Sequence, residues 1–461
     1  MTPAVTLCLT VDTHAQLRDH LFPGDGKEAA CLLVCTRVPG PRIRLLARDL
    51  LKVPYEECPQ RSEHSLTWPG IHIELAIDKA IEGNLTIILV HSHPTGYAAF
   101  SDCDNISDQV VMPCIFEALG GMHGSSVMLP SGVMFARLYR KDGSVSPVDL
   151  VSLVGDDLQY WWASDLSNAS LRPMAFTSEM TGELSKLTAC VVGISGTGSI
   201  VAEQVCRLGF GQVIGIDHDH VEVKNLNRIL NTVRSDAEAK TSKVEAFADR
   251  VNQYRVEPYF QGVKANLQSR EAVIAASQAD VIFCCVDTHK GRMLADRLSS
   301  AFLLPLFDVG VGIPTRSSVD GVAIAEVNGR IDYIRPGGSS LFDRGVYTPA
   351  TLQAEELAET DIRAFQEQVK AGYIDGVVEQ APSVIALNMR AGSACVMEFI
   401  ARAYPFRHDP NRNFARTRFM LAEGIEEVTS EAEFQHKPSP FLAQGACEPL
   451  LGLPILGEVP I

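Results

Sequence analysis

At 461 residues the chain is too long for one ordinary hydrophobic core, so we expect at least two domains. Its 40 basic and 56 acidic residues leave a net charge of −16, which argues against nucleic acid as the main partner, because neutralising a phosphate backbone needs a basic surface. Twelve cysteines without a CxxC pair, and no apolar run long enough to cross a membrane, argue against a disulfide-rich secreted protein and a membrane protein and favour the cytoplasm.

Residues 1–150 have the pattern of one mixed α+β domain. Leucine-rich or β-branched runs bounded by Gly, Pro or polar residues predict strands, and runs with helical spacing predict helices. The predicted strands are 3–11, 28–38, 42–53, 85–90, 125–130 and 132–140, and the predicted helices are 14–22, 71–83 and 106–121. Residues 151–180 hold two of the three tryptophans and show no clear period, so we predict a linker that packs against a domain.

Residues 181–430 alternate between strand and helix, which predicts a doubly wound parallel sheet of the Rossmann type. The predicted strands are 188–193, 212–217, 256–261 and 280–287, followed by 321–327 and 330–336. One predicted helix begins at Thr197. The other predicted helices cover 241–254, 269–276, about 360–371 and 384–403. The tail, 431–461, ends in an apolar stretch rich in Pro and Gly, and we expect it to lie against a domain surface or to dock on a partner.

The stretch HSHPTGYAAFSDCD, residues 91–104, comes directly after a predicted strand. In a strand, residues i and i+2 point the same way, so His91 and His93 can face one ion. Asp104 comes where a loop enters a helix and can supply a third ligand. Two histidines and one carboxylate are the open ligand set of a catalytic zinc, which lowers the pKa of a bound water to about 7.

The same spacing, His91-x-His93 and then Ser101-x-x-Asp104, resembles the JAMM (MPN+) metalloproteases, and the likeness covers roughly residues 1–145. The family cleaves the bond between the C-terminus of a ubiquitin-like protein and the group attached to it, and it has a cytidine-deaminase-like fold. By resemblance, Glu28 is the general acid/base and Ser101 stabilises the oxyanion. A solvated residue at the rim of the strand is the alternative for Glu28, and Glu74 is a weaker candidate base.

The stretch GISGTGS begins at Gly193, directly after a predicted strand and before a helix. Gly193, Gly196 and Gly198 allow the backbone to approach a phosphate at the N-terminus of that helix. Asp217 ends the next predicted strand, at a distance along the chain that suits an acid binding a ribose hydroxyl. These features alone also fit an enzyme that uses NAD or FAD.

Further along, two cations and an acid favour a triphosphate with Mg²⁺ over a nicotinamide. These residues are Arg228, Lys243 and Asp287. Together with Asn225 they resemble the ThiF/MoeB and ubiquitin-activating enzyme family, which adenylates the C-terminal glycine of a ubiquitin-like protein. The likeness covers roughly residues 175–405. It implies that Asp217 holds the ribose, that Asn225, Arg228 and Lys243 contact the phosphates, and that Asp287 binds Mg²⁺.

The chain departs from this family in three ways. Ser195 stands where the glycine loop usually has a third glycine, and no paired CxxC motifs are present to bind a structural zinc. Between Cys285 and Cys395 there is no cysteine that could form a thioester; Cys395 lies in an apolar helix and Cys447 in the tail. Arg172 is either an arginine offered across a dimer, as in relatives, or a surface residue.

The two resemblances together imply a bifunctional enzyme that uses Zn²⁺, ATP and Mg²⁺. It would cleave at the C-terminus of a ubiquitin-like protein and adenylate the carboxylate of that C-terminus. The implied partners are a ubiquitin-like protein, a conjugating enzyme as a further candidate, and a second copy of the chain that forms a homodimer through the adenylation domain. The alternatives are an NAD- or FAD-binding oxidoreductase with a fused zinc hydrolase, adenylation of a sulfur carrier or small peptide, and a scaffold whose sites have decayed.

Overall fold

The computed structural model describes residues 3–166, 171–255, 259–318, 321–370 and 384–457. It divides into two compact units. Among the described residues, the N-terminal unit comprises those of Pro3–Pro173, Ser300–Leu303 and the tail from Pro440 onward, and the C-terminal unit comprises those of Met174–Ser299 and Leu304–Ser439. Among the described residues, no helix combines the length and the apolarity that crossing a bilayer requires.

The N-terminal unit is built on a nine-stranded mixed sheet with the order β11-β10-β1-β3-β2-β6-β7-β8-β9. Its elements in chain order are β1 (Val5–Thr10), α1 (Val11–Leu21), β2 (Ala30–Arg37), β3 (Ile43–Lys52), the small hairpin β4 (Gln60–Arg61) and β5 (Leu66–Thr67), α2 (Ile71–Ala80), β6 (Thr86–Ser92), α3 (Asp102–Ala118), β7 (Met122–Met128), β8 (Met134–Arg140), β9 (Val145–Pro147), β10 (Leu150–Val154) and β11 (Leu158–Trp162).

Helices cover both faces of this sheet, and the alternation of side chains along β2 shows how. Cys31 and Leu33 pack on one face with residues of α1, whereas Leu32 and Val34 pack on the other face with residues of α2 and α3. Successive side chains of a strand point to opposite faces, so a strand buried on both faces reads as a continuous apolar run. The sheet therefore positions α3, which begins beside the end of β6.

Strand β11 and all of β10 except Leu150 lie within the segment for which the sequence predicted a linker, residues 151–180. β10 pairs in parallel with β1, and β11 pairs antiparallel with β10 at the edge of the sheet. Trp161 is buried in the same core cluster as Leu7 and Leu9. The tryptophans of this segment therefore have partners inside the N-terminal unit, because they belong to a strand rather than to a connection.

The C-terminal unit contains an eight-stranded sheet, order β14-β13-β12-β15-β16-β19-β20-β21, and a separate hairpin of β17 and β18. Its elements are α4 (Ser178–Leu184), β12 (Thr188–Val192), α5 (Gly196–Leu208), β13 (Gln212–Ile216), α6 (Arg234–Ala239), α7 (Lys243–Val251), β14 (Phe260–Val263), α8 (Arg270–Ser277), β15 (Val281–Cys284), α9 (His289–Phe302), β16 (Leu306–Gly312), β17 (Thr315–Ser318), β18 (Gly321–Ile324), β19 (Asn328–Ile334), α10 (Pro349–Thr360), α11 (Ile362–Lys370), α12 (Ile385–Ala403), β20 (Arg416–Met420) and β21 (Ile425–Thr429).

The five strands β12 to β16 are parallel, and the order of the sheet reverses between β12 and β15. Ligands of such sheets bind in the crevice outside the carboxyl ends of the strands, where the order reverses. The predicted fold class, a mixed α+β domain with a doubly wound sheet after it, is confirmed. The predicted strand at 256–261 is described only from residue 259, and residues 381–383 of the predicted late helix region lie outside the described residues.

From Pro440 onward the tail belongs to the N-terminal unit. Thr36 Oγ1 donates a hydrogen bond of 2.6 Å to the carbonyl oxygen of Ala443, and the backbone N–H of Ala446 donates one of 2.6 Å to the carbonyl oxygen of Arg37. These contacts lie at the end of β2 that is remote from Glu28. The expectation that the tail lies against a domain surface therefore holds for its described part, up to residue 457.

Candidate metal centre and nucleotide site

Three side chains at the end of β6 and the start of α3 form a compact cluster. His91 Nε2 lies 3.1 Å from His93 Nε2 and 3.0 Å from Asp104 Oδ1, and His93 Nε2 lies 3.4 Å from Asp104 Oδ2. The ligand atoms of all three residues lie within 4.8 Å of one another. Two imidazole nitrogens and one carboxylate at this separation fit Zn²⁺ in an open site.

A hydrogen bond to the backbone orients His93, and the start of α3 orients Asp104. The Nδ1 atom of His93 lies 2.8 Å from the carbonyl oxygen of Tyr97, which assigns the proton to Nδ1 and leaves Nε2 as the ligand atom. Asp104 Oδ2 accepts a 2.6 Å hydrogen bond from the backbone N–H of Ser101, and Ser101 Oγ accepts one of 3.2 Å from the backbone N–H of Asp104. This reciprocal capping box begins α3 and holds the carboxylate toward the histidines.

Asp108, one turn after Asp104, anchors α3 to the sheet. Its Oδ2 atom accepts hydrogen bonds from Ser125 Oγ at 2.5 Å, from Arg137 Nη2 at 2.7 Å and from the Tyr139 hydroxyl at 2.9 Å. Asp108 is buried. The sequence analysis missed this residue; the only signal for it was an acidic residue on the side of α3 that faces the sheet, four positions after a candidate ligand.

Glu28 lies beside the cluster because of how β2 pairs with β6. In this antiparallel pair Ala30 is opposite His91. The backbone N–H of Ser92 donates a 3.1 Å hydrogen bond to the carbonyl oxygen of Ala29. Continuing that register places Glu28 opposite His93. Burial raises the pKa of Glu28, and the nearby His91 and His93 partly oppose the rise.

The two backbone groups of Glu28 are held by the β4–β5 hairpin. Its N–H donates a 2.8 Å hydrogen bond to the carbonyl oxygen of Ser62. Its carbonyl oxygen accepts a 2.9 Å hydrogen bond from Arg61 Nε. With only 8% of its surface exposed, Glu28 is not a solvated rim residue. The exposed Glu74 lies on α2, so the structure favours Glu28 over Glu74 as the acid beside the cluster.

Hydrogen bonds within the cluster shift the pKa of Asp104 and the pKa of His93 in opposite directions. Burial raises the pKa of Asp104, but hydrogen bonds with His91 and His93 outweigh this and hold that pKa well below its usual range. Burial lowers the pKa of His93, yet the hydrogen bonds to Asp104 and to the Tyr97 carbonyl outweigh burial and raise it overall.

The glycine loop lies at the carboxyl end of β12, at the point where the order of the C-terminal sheet reverses. Gly193 has φ of +86°, a conformation that side chains rarely adopt. A Cβ atom at Gly198 would lie 1.6 Å from the carbonyl oxygen of Gly193. The loop therefore folds tightly back on itself at the start of α5, and the first N–H groups of a helix are a common site for anions.

Asp217 comes directly after β13 and is tied to this loop. Its Oδ2 accepts a 2.8 Å hydrogen bond from the backbone N–H of Ile194, and its Oδ1 accepts one of 2.9 Å from the backbone N–H of Asp219. Lys243 Nζ lies 3.8 Å from Asp217 Oδ1 and 2.7 Å from Asp219 Oδ2. Asp219 is a second residue that the sequence analysis missed, although it stands two positions after Asp217.

Arg228 reaches the glycine loop from the segment after β13. A Cβ atom at Gly196 would lie 3.3 Å from Arg228 Cδ and 2.5 Å from Asn388 Nδ2 of α12. The guanidinium of Arg228 donates a 2.9 Å hydrogen bond to the carbonyl oxygen of Lys224. Asn225 is buried, and its Oδ1 accepts a 3.1 Å hydrogen bond from the backbone N–H of Glu222. Asn225 therefore stabilises the turn that precedes Arg228.

Asp287 is exposed and lies three residues beyond the end of β15, the neighbour of β12. The structure thus brings the glycine loop, Asp217, Lys243 and Arg228 together, with Asp287 at the end of the adjacent strand. Arg172 forms an ion pair of 3.0 Å with Asp157 within the N-terminal unit. Cys395 is fully buried, and burial raises the pKa of its thiol well above the usual value, so it is a core residue.

Two family models match two successive segments of the chain. Residues 168–419, more than half of the chain, match the model of the ThiF family, and residues 10–139 match the model of the prokaryotic homologs of the JAB domain. The chain belongs to the ThiF family. It carries a JAB domain at the N-terminus and a ThiF adenylation domain at the C-terminus, so both predicted resemblances are confirmed.

Curated relatives of the chain are named ubiquitin-like modifier-activating enzyme 5. That of Aedes aegypti is 27% identical over 206 residues, which cover 42% of this chain and 47% of the relative. That of Drosophila ananassae is 30% identical over 185 residues, which cover 38% of this chain and 42% of the relative. The chain spans less than half the length of these relatives. Among solved structures, E. coli MccB with AMPCPP and MccA is 14% identical, with a TM-score of 0.43, over 58% of this chain and 69% of that chain.

Proposed function

We propose that this chain acts twice on the C-terminus of one ubiquitin-like protein. The JAB domain would hydrolyse the bond that links the C-terminal residue to the group attached to it, and the ThiF domain would adenylate the carboxylate that this cleavage exposes. The observation that carries the proposal is the cluster of His91, His93 and Asp104, with Glu28 beside it, in the same chain as an adenylation domain. Both activities read the same flexible tail, so fusing them raises the local concentration of the shared substrate.

For hydrolysis, His91, His93 and Asp104 would hold Zn²⁺, which supplies Lewis acidity and an activated water when bound. Glu28 would take a proton at its carboxylate from the attacking water and give it to the leaving amine. Ser101 Oγ accepts a hydrogen bond from the backbone of Asp104 and keeps its own O–H free of that bond. That O–H would donate to the oxygen on which negative charge develops.

For adenylation, the N–H groups of the glycine loop at Gly193, Gly196 and Gly198 would bind phosphate oxygens and Asp217 would bind the ribose. The C-terminal carboxylate would attack the α-phosphorus, and pyrophosphate would leave with the electrons of the broken P–O bond. Asn225, Arg228 and Lys243 would neutralise the phosphates, and Asp287 would hold Mg²⁺. We place this activity in the cytoplasm, where ATP is available, in a homodimer formed through the ThiF domain, with a conjugating enzyme as the next partner.

The hydrolase is tested with the full chain and a ubiquitin-like protein, from the same source, that carries an extension after its C-terminal glycine. Glu28→Gln should retain about one zinc per chain and lose at least about 100-fold in kcat, because general base catalysis contributes that much. The matched control is Glu74→Gln, which should leave both quantities unchanged. Undiminished cleavage by Glu28→Gln, or full zinc occupancy after His91→Ala with His93→Ala, would remove these residues from the site.

Adenylation is tested by ATP–pyrophosphate exchange in the presence of the mature ubiquitin-like protein. Exchange should collapse in Arg228→Ala and persist in Arg234→Ala, whose side chain is 84% exposed and forms an ion pair with Glu238 within α6. Exchange that requires a short peptide or a sulfur carrier instead of the ubiquitin-like protein would redirect the proposal to those substrates. Binding of NAD or FAD without ATP–Mg²⁺ binding would favour an oxidoreductase.

A further inference from the structure

Lys243 carries a buried ammonium group that is paired with a carboxylate of the protein itself. Only 6% of its side chain is exposed, and its Nζ lies 2.7 Å from Asp219 Oδ2. The backbones of the same two residues are also joined, because the N–H of Lys243 donates 3.0 Å to the carbonyl oxygen of Asp219. The residue assigned to the phosphates is thus held at the edge of the nucleotide site by Asp219.

The two carboxylates near Lys243 differ in their freedom to move. Asp217 has 7% of its side chain exposed, and both of its oxygens accept backbone hydrogen bonds, from Ile194 and Asp219. Asp219 has 54% of its side chain exposed, and its closer oxygen faces Lys243. Of these two acids, only Asp219 can turn toward solvent without breaking the bond that connects the glycine loop to β13.

A buried ammonium without a nearby anion is costly, so the nucleotide-free protein needs a carboxylate at this position. A bound triphosphate changes this requirement, because its oxygens supply several negative charges. A carboxylate that stays within a few ångströms of those oxygens then repels them. One residue can satisfy both states if it pairs with the lysine before nucleotide binds and moves aside when phosphate arrives.

We propose that Asp219 is a positioning residue that serves as the resident counterion of Lys243 and that phosphate oxygens of ATP replace it. The inference rests on the proposed function, because Lys243 is taken as a phosphate contact of the adenylation site. Lys243 would exchange one anion for another, and the buried ammonium would remain paired throughout. The half-exposed side of Asp219 gives its carboxylate a route into solvent.

The test is the variant Asp219→Asn in the full chain. The neutral amide competes less for Lys243 and does not repel phosphate, so we expect ATP–Mg²⁺ to bind about two- to fivefold more tightly in calorimetric titrations, the range of a partly exposed ion pair. The variant without nucleotide should unfold at a lower temperature, because the buried ammonium has lost the nearer of its two carboxylates and keeps only Asp217 at 3.8 Å. Tighter binding together with lower stability distinguishes this role from a purely structural one, which would worsen both.

The matched control is Glu238→Gln, which removes one negative charge from the same unit at a residue that is paired with exposed Arg234. It should leave ATP affinity within about twofold of the wild type. In a Lys243→Met background, Asp219→Asn should gain clearly less affinity than it does alone, because no ammonium remains to compete for.

Unchanged or weaker ATP–Mg²⁺ binding in Asp219→Asn overturns the inference while leaving adenylation intact. Weaker binding with Mg²⁺, but not in its absence, would identify Asp219 as a ligand of the metal ion instead. A wild-type chain that binds no ATP–Mg²⁺ would overturn the proposed adenylation and this inference with it, so the two failures are distinguishable.

Discussion

At the scale of single residues, the hydrogen bonds of the two ring nitrogens decide whether a histidine of this chain can bind a metal ion or has a structural role. His93 uses Nδ1 for the carbonyl oxygen of Tyr97 and keeps Nε2 for the cluster with His91 and Asp104. His123 is buried as well, but both of its nitrogens are committed to backbone groups. Its ring is therefore a structural part of the sheet and not a candidate ligand.

We predict that His123 makes the N-terminal unit sensitive to acid. Its Nδ1 accepts a 3.1 Å hydrogen bond from the backbone N–H of Ile87, and its Nε2 lies 3.2 Å from the carbonyl oxygen of Gly120. Because Nδ1 is an acceptor, the ring must be neutral. Burial lowers the pKa of His123 to about 4. Between about pH 6.5 and about pH 4 the unfolded chain binds a proton that the folded chain does not, so the contribution of this ring is complete above about pH 6.5 and falls by about 3 kcal/mol by about pH 4.

The measurement is an NMR titration of the His123 ring together with urea unfolding at about pH 7 and about pH 4.5, on either side of most of the stability change. The ring should titrate with a midpoint of about 4. His123→Gln should be less stable than the wild type at neutral pH and should lose less stability on acidification. A ring that titrates at about 6.5, the value of a solvated histidine, would contradict this assignment.

At the scale of elements, α3 joins stability and chemistry in its first turn. Ser101 caps the helix, and Asp104, which closes the capping box, is also a candidate metal ligand. Asp108 fixes the next turn to the sheet through Ser125, Arg137 and Tyr139. The carboxylate of Asp104 is therefore positioned by a helix start that is anchored on both sides.

We predict that Ser101→Ala lowers the free energy of unfolding of the N-terminal unit by about 1 kcal/mol, because the backbone N–H of Asp104 loses its acceptor. Zinc content should stay near one per chain, since the Asp104 carboxylate still accepts from the backbone N–H at position 101. Ser269→Ala removes an equivalent 3.2 Å cap from α8 and should cost a similar amount. A loss of cleavage in Ser101→Ala that Ser101→Thr restores would show that the hydroxyl also acts in the reaction.

We predict that Gly198→Ala abolishes ATP binding, because its Cβ would lie 1.6 Å from the carbonyl oxygen of Gly193 and the loop would have to open. Gly182→Ala in α4 is the control, since nothing lies within 4 Å of its Cβ position. That change should stabilise the protein by about 0.5–1 kcal/mol, as alanine does in helices, and leave ATP binding unchanged. ATP titration and thermal unfolding measure both effects, and normal affinity in Gly198→Ala would contradict the structure of the loop.

At the scale of the whole molecule, a natural probe separates the two units. All three tryptophans, Trp68, Trp161 and Trp162, lie in the N-terminal unit, so tryptophan fluorescence reports the unit that contains the candidate metal centre. The candidate nucleotide site lies in the unit that has no tryptophan.

We predict that removing zinc with a chelator lowers the midpoint of thermal unfolding measured by tryptophan fluorescence. ATP–Mg²⁺ at about 100 times its Kd should stabilise the C-terminal unit by about 2.7 kcal/mol, through mass action. Calorimetry should show that shift in a transition that the fluorescence does not follow. A chelator that moves only the transition sensitive to ATP would contradict the placement of the metal centre.

Much of both candidate sites could be predicted from short segments of sequence. His91, His93 and Asp104 lie within one strand end and one helix start, and the glycine loop lies within one strand–helix junction. Local periodicity and turn chemistry set such spacings, so the residue types alone predicted the ligand set, the anion site and the alternation of strands and helices. The resemblance to the JAMM metalloproteases came from the first of these motifs, whereas the resemblance to the ThiF family came from residues spread along the chain, Asn225, Arg228, Lys243 and Asp287.

The tertiary structure alone decided the contacts that join distant parts of the chain. Glu28 meets the histidines because of the pairing register of β2 with β6, and β10 and β11 join the first sheet because β10 pairs with β1. Asp219 became visible as the partner of Lys243 only when a loop and a helix start were brought together. Pairings between segments tens of residues apart depend on which surfaces bury each other in the folded chain, and local sequence patterns do not encode that choice.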